Sequence, residues 1–246
     1  MKAILTYHSI DDSSSVISIG PDAFRRQVEW LASGAVRVVT VDELMALPPG
    51  VDAVALTFDD AFANFAEIAA PLLSRHQLPA TVFVVSEHVG GTNAWRGTCA
   101  HDIPTLPLMD WPELGRMSEM GFTIGAHSRT HPHLTGLPAD ALEDEIGGSA
   151  DHIERELGVR PAVFAYPYGS VDDAGAQAAG GFRWALTTEL RPLRGRERPA
   201  RLPRLDMYYF RAGMWLEAYG TPRFRQYLWV RSGARRVRAA LATAAE

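Results

Sequence analysis

The sequence predicts an α/β protein whose parallel strands close into a barrel. Three observations carry that reading. Continuous apolar runs, clearest at Ala53 to Phe58 and Ala80 to Val85, have the character of strands buried on both faces. Between them lie stretches with helical apolar periodicity, so strand and helix alternate along the chain without an internal repeat. The strands number about seven or eight, and several end in polar clusters, which is where a (β/α) barrel carries its chemistry.

In chain order, Lys2 to Thr6 is the first strand and ends at Tyr7-His8-Ser9. After a polar loop, Pro21 opens a helix to about Ser33, with Phe24, Val28 and Leu31 as its apolar stripe. Val36 to Val39 is a short strand, and Asp42 is expected to cap a short helix that Pro48-Pro49-Gly50 closes. The Ala53 to Phe58 strand runs into Asp59-Asp60 and then a helix from about Asn64 to Arg75. The strand from Ala80 precedes Gly90 to Leu108, which has no periodicity and reads as a long loop over one face, a candidate substrate-binding insertion. Trp111 to Met120 is a helix with Gly121 at its C′ position, and Thr123 to Ala126 is a strand ending at His127. Pro138 to Leu157 is an acidic amphipathic helix. Ala162 to Tyr166 is a strand leading into Pro167-Tyr168-Gly169 and a helix, and Trp184 to Thr188 and Arg201 to Met207 are the last strands. The whole chain, 1–246, reads as one domain with a helical tail from about residue 210. Within that tail Val230 to Ala244 has the pattern of a basic amphipathic helix, by default a packing helix, with a membrane-surface or partner role as the alternative.

Bulk composition narrows the function. At 47% hydrophobic and 22% charged, the chain has ample material for a core. A net charge of -5 leaves no basic footprint for nucleic acid. Cys99 is the single cysteine, which excludes an internal disulfide and a cysteine-based zinc site. No stretch approaches the ~18 apolar residues that span a bilayer. Met1 to Ile10 lacks the apolar region of a signal peptide, so the expected location is cytoplasmic.

The chemistry centres on Asp59-Asp60. Two adjacent acids, taken alone, read as a solvated turn that caps the next helix. At the end of a buried strand both can instead face one cleft, where they need a cation or a shared proton. A second cluster, His127-Ser128-Arg129-Thr130-His131, also follows a strand. On one helical turn its two histidines would lie on the same face, close enough to share a metal. One carboxylate with two histidines is a standard ligand set for a hydrolytic divalent ion. Asp60, His127 and His131 are therefore the expected ligands, and Asp59 the expected general base for a metal-activated water. Zinc is the first expectation, and cobalt, nickel or manganese also fit.

Thr57-Phe58-Asp59-Asp60, His127 to His131 and Tyr166-Pro167-Tyr168-Gly169, in that order, resemble the motifs of the NodB-type polysaccharide deacetylases, carbohydrate esterase family 4. The resemblance covers roughly Val54 to Met207. It implies a distorted (β/α) barrel with about seven parallel strands, and metal-dependent removal of N- or O-acetyl groups from sugars, here expected to be N-acetyl groups of an amino sugar. It assigns the base and the ligands as above and puts an oxyanion-binding backbone N–H beside Tyr168. Two departures stand out. The family's third motif commonly begins with an arginine that orients the base, and here Phe164-Ala165-Tyr166-Pro167-Tyr168-Gly169 contains none. Arg204 is expected to reach the base from another strand, an ordinary surface arginine being the alternative. The family's late histidine is missing, since none follows His152. His8 is the expected general acid in its stead. That arrangement resembles the subgroup of biofilm poly-N-acetylglucosamine deacetylases with a permuted motif order beginning in Tyr-His. Trp184 falls where the family places an aromatic wall for the acetyl methyl, although core packing explains it equally. Tyr168, Trp184 and Arg204 thus form the substrate-facing set. A same-fold hydrolase of a non-sugar amide and a non-catalytic carbohydrate-binding module are the competing readings.

Overall fold

The computed structural model describes residues 1–97 and 99–243, with the backbone alone for 236–243. In chain order the elements are β1 (Lys2–Tyr7), β2 (Ser9–Ile10), β3 (Ser18–Ile19), α1 (Pro21–Ala32), β4 (Arg37–Val38), α2 (Val41–Ala46), β5 (Ala53–Phe58), α3 (Ala70–Arg75) and β6 (Ala80–Val84). There follow α4 (Trp111–Glu119), β7 (Thr123–Ala126), α5 (Ala139–Leu157), β8 (Val163–Ala165), α6 (Asp173–Ala178), β9 (Trp184–Leu190), β10 (Leu202–Asp206), α7 (Met214–Glu217) and α8 (Pro222–Thr243). Parallel pairing runs β1-β10-β9-β8-β7-β6-β5, and β5 pairs back to β1 from Lys2↔Ala53 to Tyr7↔Phe58. Seven strands therefore close a barrel, as the sequence predicts. The eighth, β4, pairs with the first half of β5 below β6 and takes no part in closure.

Period-two alternation decides which side chains enter the barrel. On β5, Val54, Leu56 and Phe58 point outward into the large apolar cluster that also holds Phe24 and Val28 of α1, Leu114 of α4 and Ile146 of α5. Ala53 and Ala55 point the other way and join Ile4, Phe83, Val163, Leu186 and Leu202 in a separate inner cluster, closed beneath by Val41 and Leu44 of α2. Small residues on several strands leave room for two large ones, Phe83 and Arg204, whose guanidinium carbon lies 5.8 Å from the Phe83 ring centre. Gly125 of β7 is part of that fit. A Cβ there would sit 2.5 Å from two carbons of the Phe83 ring.

Three local expectations are corrected. Thr40, not Asp42, caps α2: its hydroxyl accepts the Glu43 N–H at 3.2 Å while the Glu43 carboxylate accepts the Thr40 N–H at 2.9 Å. Threonine with glutamate three residues on forms the reciprocal box, which Asp42 cannot. The helix expected from Asn64 is instead a π turn over Phe65–Ala69 followed by α3, with Pro71 withholding a backbone donor at the junction. The last helix starts at Pro222 rather than Val230, because Phe224 and Leu228 drive its first turns into the main apolar cluster. Ala244, its expected last residue, lies outside the described residues. Among the described residues no helix is long and apolar enough to cross a membrane.

Gly125→Ala is expected to destabilise the fold by about 1–3 kcal/mol through overpacking against Phe83. Urea unfolding of the purified variant measures it, and an unchanged midpoint would refute this account of the barrel interior.

Candidate active site

Asp59 directly follows β5 and is 2% exposed. Its carboxylate is gripped by Arg204 of β10: Nη1 donates to Oδ1 at 2.6 Å and Nη2 to Oδ2 at 2.8 Å. Arg204 is itself 1% exposed, and its Nε donates to the Thr187 carbonyl at 2.9 Å. Such a two-pronged fork fixes both the position and the plane of the acid. His8, directly after β1, brings Nε2 to 3.7 Å from Asp59 Oδ2. Burial by itself would raise the Asp59 pKa. The charge of Arg204, with His127 and His8 behind it, overrides that and holds the carboxyl below its ordinary range.

Adjacent residues on a strand point to opposite sides, yet Asp59 and Asp60 face one cleft. The backbone explains this. Asp60 and Ala61 both take left-handed conformations, φ 70° and 55°, so the chain turns sharply as β5 ends. Asp60 Oδ1 then lies 3.4 Å from His127 Nε2 and 3.5 Å from His131 Nε2. Burial opposes the charge on Asp60, and His127, His131 and His8 together drive its pKa down.

The two histidines do not meet on a helical turn, as their spacing suggests. The segment after β7 is irregular, with Ser128 and His131 both at positive φ. Side chains brace it. Ser128 Oγ accepts the His131 N–H at 3.0 Å, and Glu145 of α5 accepts the N–H groups of Arg129 and Thr130 at 2.9 and 3.0 Å. His127 Nδ1 donates to the Ala165 carbonyl at 2.7 Å, which leaves Nε2 directed at Asp60. Burial lowers the His127 pKa, but the neighbouring charges of Asp60 and Asp59 leave it raised. For His131 burial wins, and its pKa is pushed down to about 3.

These three side chains offer ligand atoms that all lie within 4.8 Å of one another. Asp60 Oδ1 and His131 Nδ1 are buried without a hydrogen-bond partner among the described residues. A carboxylate oxygen and two imidazole nitrogens converging where all three side chains are buried, part of their bonding capacity unused, fit a divalent cation.

The remaining expected residues separate. Tyr168 belongs to the cleft: it is 48% exposed, adopts φ 59°, and its ring lies 4.7 Å from that of His131 and stacks on His133 at 4.0 Å. Arg204 sits beneath the cleft and touches Asp59, so it does not face substrate as the expected set had it. Trp184 is not near the cleft at all. It opens β9 opposite Val163, at the barrel's N-terminal rim, and its indole N–H donates to Asp42 at 2.6 Å. In a parallel barrel a residue that starts a strand is a full strand length from the rim where strands end. The aromatic ring that does cover the ligands is Trp95, from the irregular Gly90 to Leu108 segment. It stacks on His131 at 4.6 Å with rings 28° apart. An isolated tryptophan in a segment without periodicity gave no signal of that contact. Asp206 ends β10 beside Thr6, with burial raising its pKa and the charge of His8 drawing it back.

The polysaccharide deacetylase family profile matches residues 47–182, more than half of the chain. The protein YxkH of Bacillus subtilis is 23% identical over 193 residues, covering 76% of this chain and 64% of that protein. The poly-beta-1,6-N-acetyl-D-glucosamine N-deacetylase of Staphylococcus epidermidis is 23% identical over 203 residues, 76% of this chain and 67% of that one. The chain thus spans about two thirds of the length of both relatives. Among solved structures, IcaB from Ammonifex degensii superposes with a TM-score of 0.72 at 22% identity, covering 88% of this chain and 97% of that one. The Streptococcus pyogenes deacetylase PplD in complex with acetate gives 0.70 at 21% identity, covering 83% and 91%. These two likenesses concern the fold. The matched span holds Asp59, Asp60, His127, His131 and Tyr168 and excludes His8 and Arg204, which closure of the barrel delivers from the two ends of the chain. From the profile match and the shared barrel, the chain belongs to the polysaccharide deacetylase family.

Proposed function

We propose that this protein is a metal-dependent carbohydrate N-deacetylase that hydrolyses the acetamido group of an amino sugar in a polysaccharide, oligosaccharide or glycoconjugate. The observation that carries this reading is the pairing of two adjacent acids with different partners: Asp59 locked by Arg204, and Asp60 directed at His127 and His131. That separation suits one acid to proton transfer and the other to holding a cation. The printed function of the Staphylococcus epidermidis relative, a poly-N-acetylglucosamine N-deacetylase, supports an N-acetylated amino sugar as substrate. The Tyr7-His8 start, on a strand paired with the last one, supports a place in the subgroup with permuted motif order. Zinc is the ion we assign first to two imidazoles and one carboxylate, with cobalt, nickel and manganese as the competing ions.

A divalent ion at Asp60, His127 and His131 supplies Lewis acidity, which makes water easier to deprotonate and an amide carbonyl easier to attack. Asp59 takes a proton from water as the oxygen adds to the acetyl carbon. Because Arg204 keeps that carboxyl ionised and oriented, it is ready to act as a base across the neutral range. A backbone N–H beside Tyr168 donates to the oxygen that becomes negative. His8, with its side chain 22% exposed, can meet the leaving nitrogen from the open side. It passes a proton to that nitrogen as the carbon–nitrogen bond breaks, giving acetate and a free amine. Trp95 and Tyr168 flank the cleft as the aromatic surfaces against which a sugar ring packs.

Asp59→Asn is expected to lower acetate release from N-acetylglucosamine oligomers by at least about a hundredfold while leaving metal content unchanged, and His8→Ala to lower it by about a hundredfold or more. A metal-loaded Asp59→Asn protein with undiminished turnover would remove Asp59 from the mechanism. Metal uptake carries a second expectation. His127, with its raised pKa, holds a proton in the metal-free protein below that raised value, whereas His131 is already neutral above about 3. Binding near pH 5.5 should therefore expel about one proton rather than two, as read from calorimetry in buffers of different ionisation enthalpy.

A further inference from the structure

A second cavity, of about 730 Å³, lies between the end of β9, the loop after it and α8. Among the described residues five arginines line it: Arg191, Arg194, Arg201, Arg225 and Arg235. Two are neutralised, Arg191 by Glu189 and Glu197 and Arg201 by Asp173. Arg194, Arg225 and Arg235 have no carboxylate partner among the described residues. Arg235 is nevertheless held in place, donating to the Thr188 carbonyl at 2.9 Å and to its hydroxyl at 3.0 Å. Neutral acceptors thus orient a guanidinium that has no direct carboxylate partner among the described residues, the buried Asp206 feeling its charge without pairing with it. A concave wall with that surplus is a receptor for an anion, and guanidinium forks match phosphate oxygens.

Two further features specify the anion's setting. Leu190, Leu228 and Trp229, the last 74% exposed, give the same cavity an apolar side. The cavity also abuts the cleft. Thr188 Oγ1 donates to the Tyr168 carbonyl at 3.2 Å, and Gly169, next in the chain, lies on the cavity wall. Gly169 has φ 74°, and a Cβ on it would fall 2.1 Å from Thr188 Oγ1, so only glycine lets the Tyr168 loop lie this close to β9. The anion site and the aromatic edge of the cleft are therefore joined through Arg235, Thr188 and Tyr168.

We infer that this cavity binds the phosphate of a glycosyl-phosphate substrate whose acetamido sugar occupies the Asp59–Asp60 cleft, with any apolar group on that phosphate lying along Leu190, Leu228 and Trp229. The inference rests on the deacetylase reading and narrows its substrate class. Acetate release is measured for methyl N-acetylglucosaminide, for N-acetylglucosamine 1-phosphate and for the decyl ester of that phosphate, with the wild-type protein and the Arg194→Gln/Arg225→Gln variant. The phosphate is expected to raise kcat/KM about tenfold or more, mainly through KM, and the double variant to lose that gain while its rate on the neutral glycoside is unchanged. A further gain with the decyl ester, lost in Trp229→Ala, identifies a lipid-linked phosphate. Equal rates for the two phosphates identify one without lipid. If the neutral glycoside turns over and phosphate brings no gain, or if the gain survives in the double variant, the cavity assignment is overturned and the deacetylase reading stands. If no acetylated sugar turns over, the deacetylase reading itself has failed. Calorimetry with N-acetylglucosamine 1-phosphate then decides the cavity: binding that the double variant loses supports an anion site, and absent or unaltered binding overturns it.

Discussion

Two neighbouring carboxylates that are both buried and both ionised form the constraint to which the site answers. Removing either from water costs several kcal/mol, and their mutual repulsion adds to it. The fold resolves this by giving each acid its own positive surroundings. Asp59 receives a guanidinium fork from β10, and Asp60 receives from the segment after β7 the imidazole of His127, whose pKa is raised, beside the neutral ring of His131. Neither solution works without the other. Were Arg204 absent, the two acids would share one set of positive partners, and the division we propose between a group that moves a proton and a group that holds an ion would disappear.

Holding this arrangement takes backbone strain. Asp60, Ser128, His131 and Tyr168 all have positive φ without being glycine. Left-handed backbone costs a side-chain-bearing residue roughly 1–2 kcal/mol. Such conformations persist where surrounding structure over-determines them. Here the supports are visible: Glu145 on the Arg129 and Thr130 amides, Ser128 on the His131 amide, and Thr188 on the Tyr168 carbonyl. The closed barrel below gives these loops a rigid rim from which to project.

Much of this was legible in the sequence, and the misses have physical causes. Strands such as Ala53–Phe58 announce themselves because both faces are buried and the run is continuously apolar. Asp59, Asp60, His127 and His131 could be grouped because each pair directly follows such a strand. Arg204 was reachable because the base needs a guanidinium partner and the motif that commonly supplies it holds no arginine. Trp184 was misplaced because its role was carried over from a family pattern, although a residue that opens the strand Trp184 to Thr188 lies at the rim where parallel strands begin. The convergence of His127 and His131 through an irregular turn was invisible, since positive φ at serine and histidine leaves no compositional mark. Trp95 was missed for a related reason: a long-range stack from a segment without periodicity has no local signature. The arginine-lined cavity beside α8 depends on where three elements pack, and spacing along the chain does not encode that.

Closure of the barrel through β1 and β10 has a consequence for how the protein is made. The pair between Asp59 and Arg204 joins residues 145 positions apart. During synthesis the first acid leaves the ribosome long before its arginine, and His8 earlier still. The nascent chain can build most of its helices and strands without possessing a working site. The proposed site is complete only when the final strand takes its place beside the first, so the contact that finishes the architecture also brings Asp59 and Arg204 together.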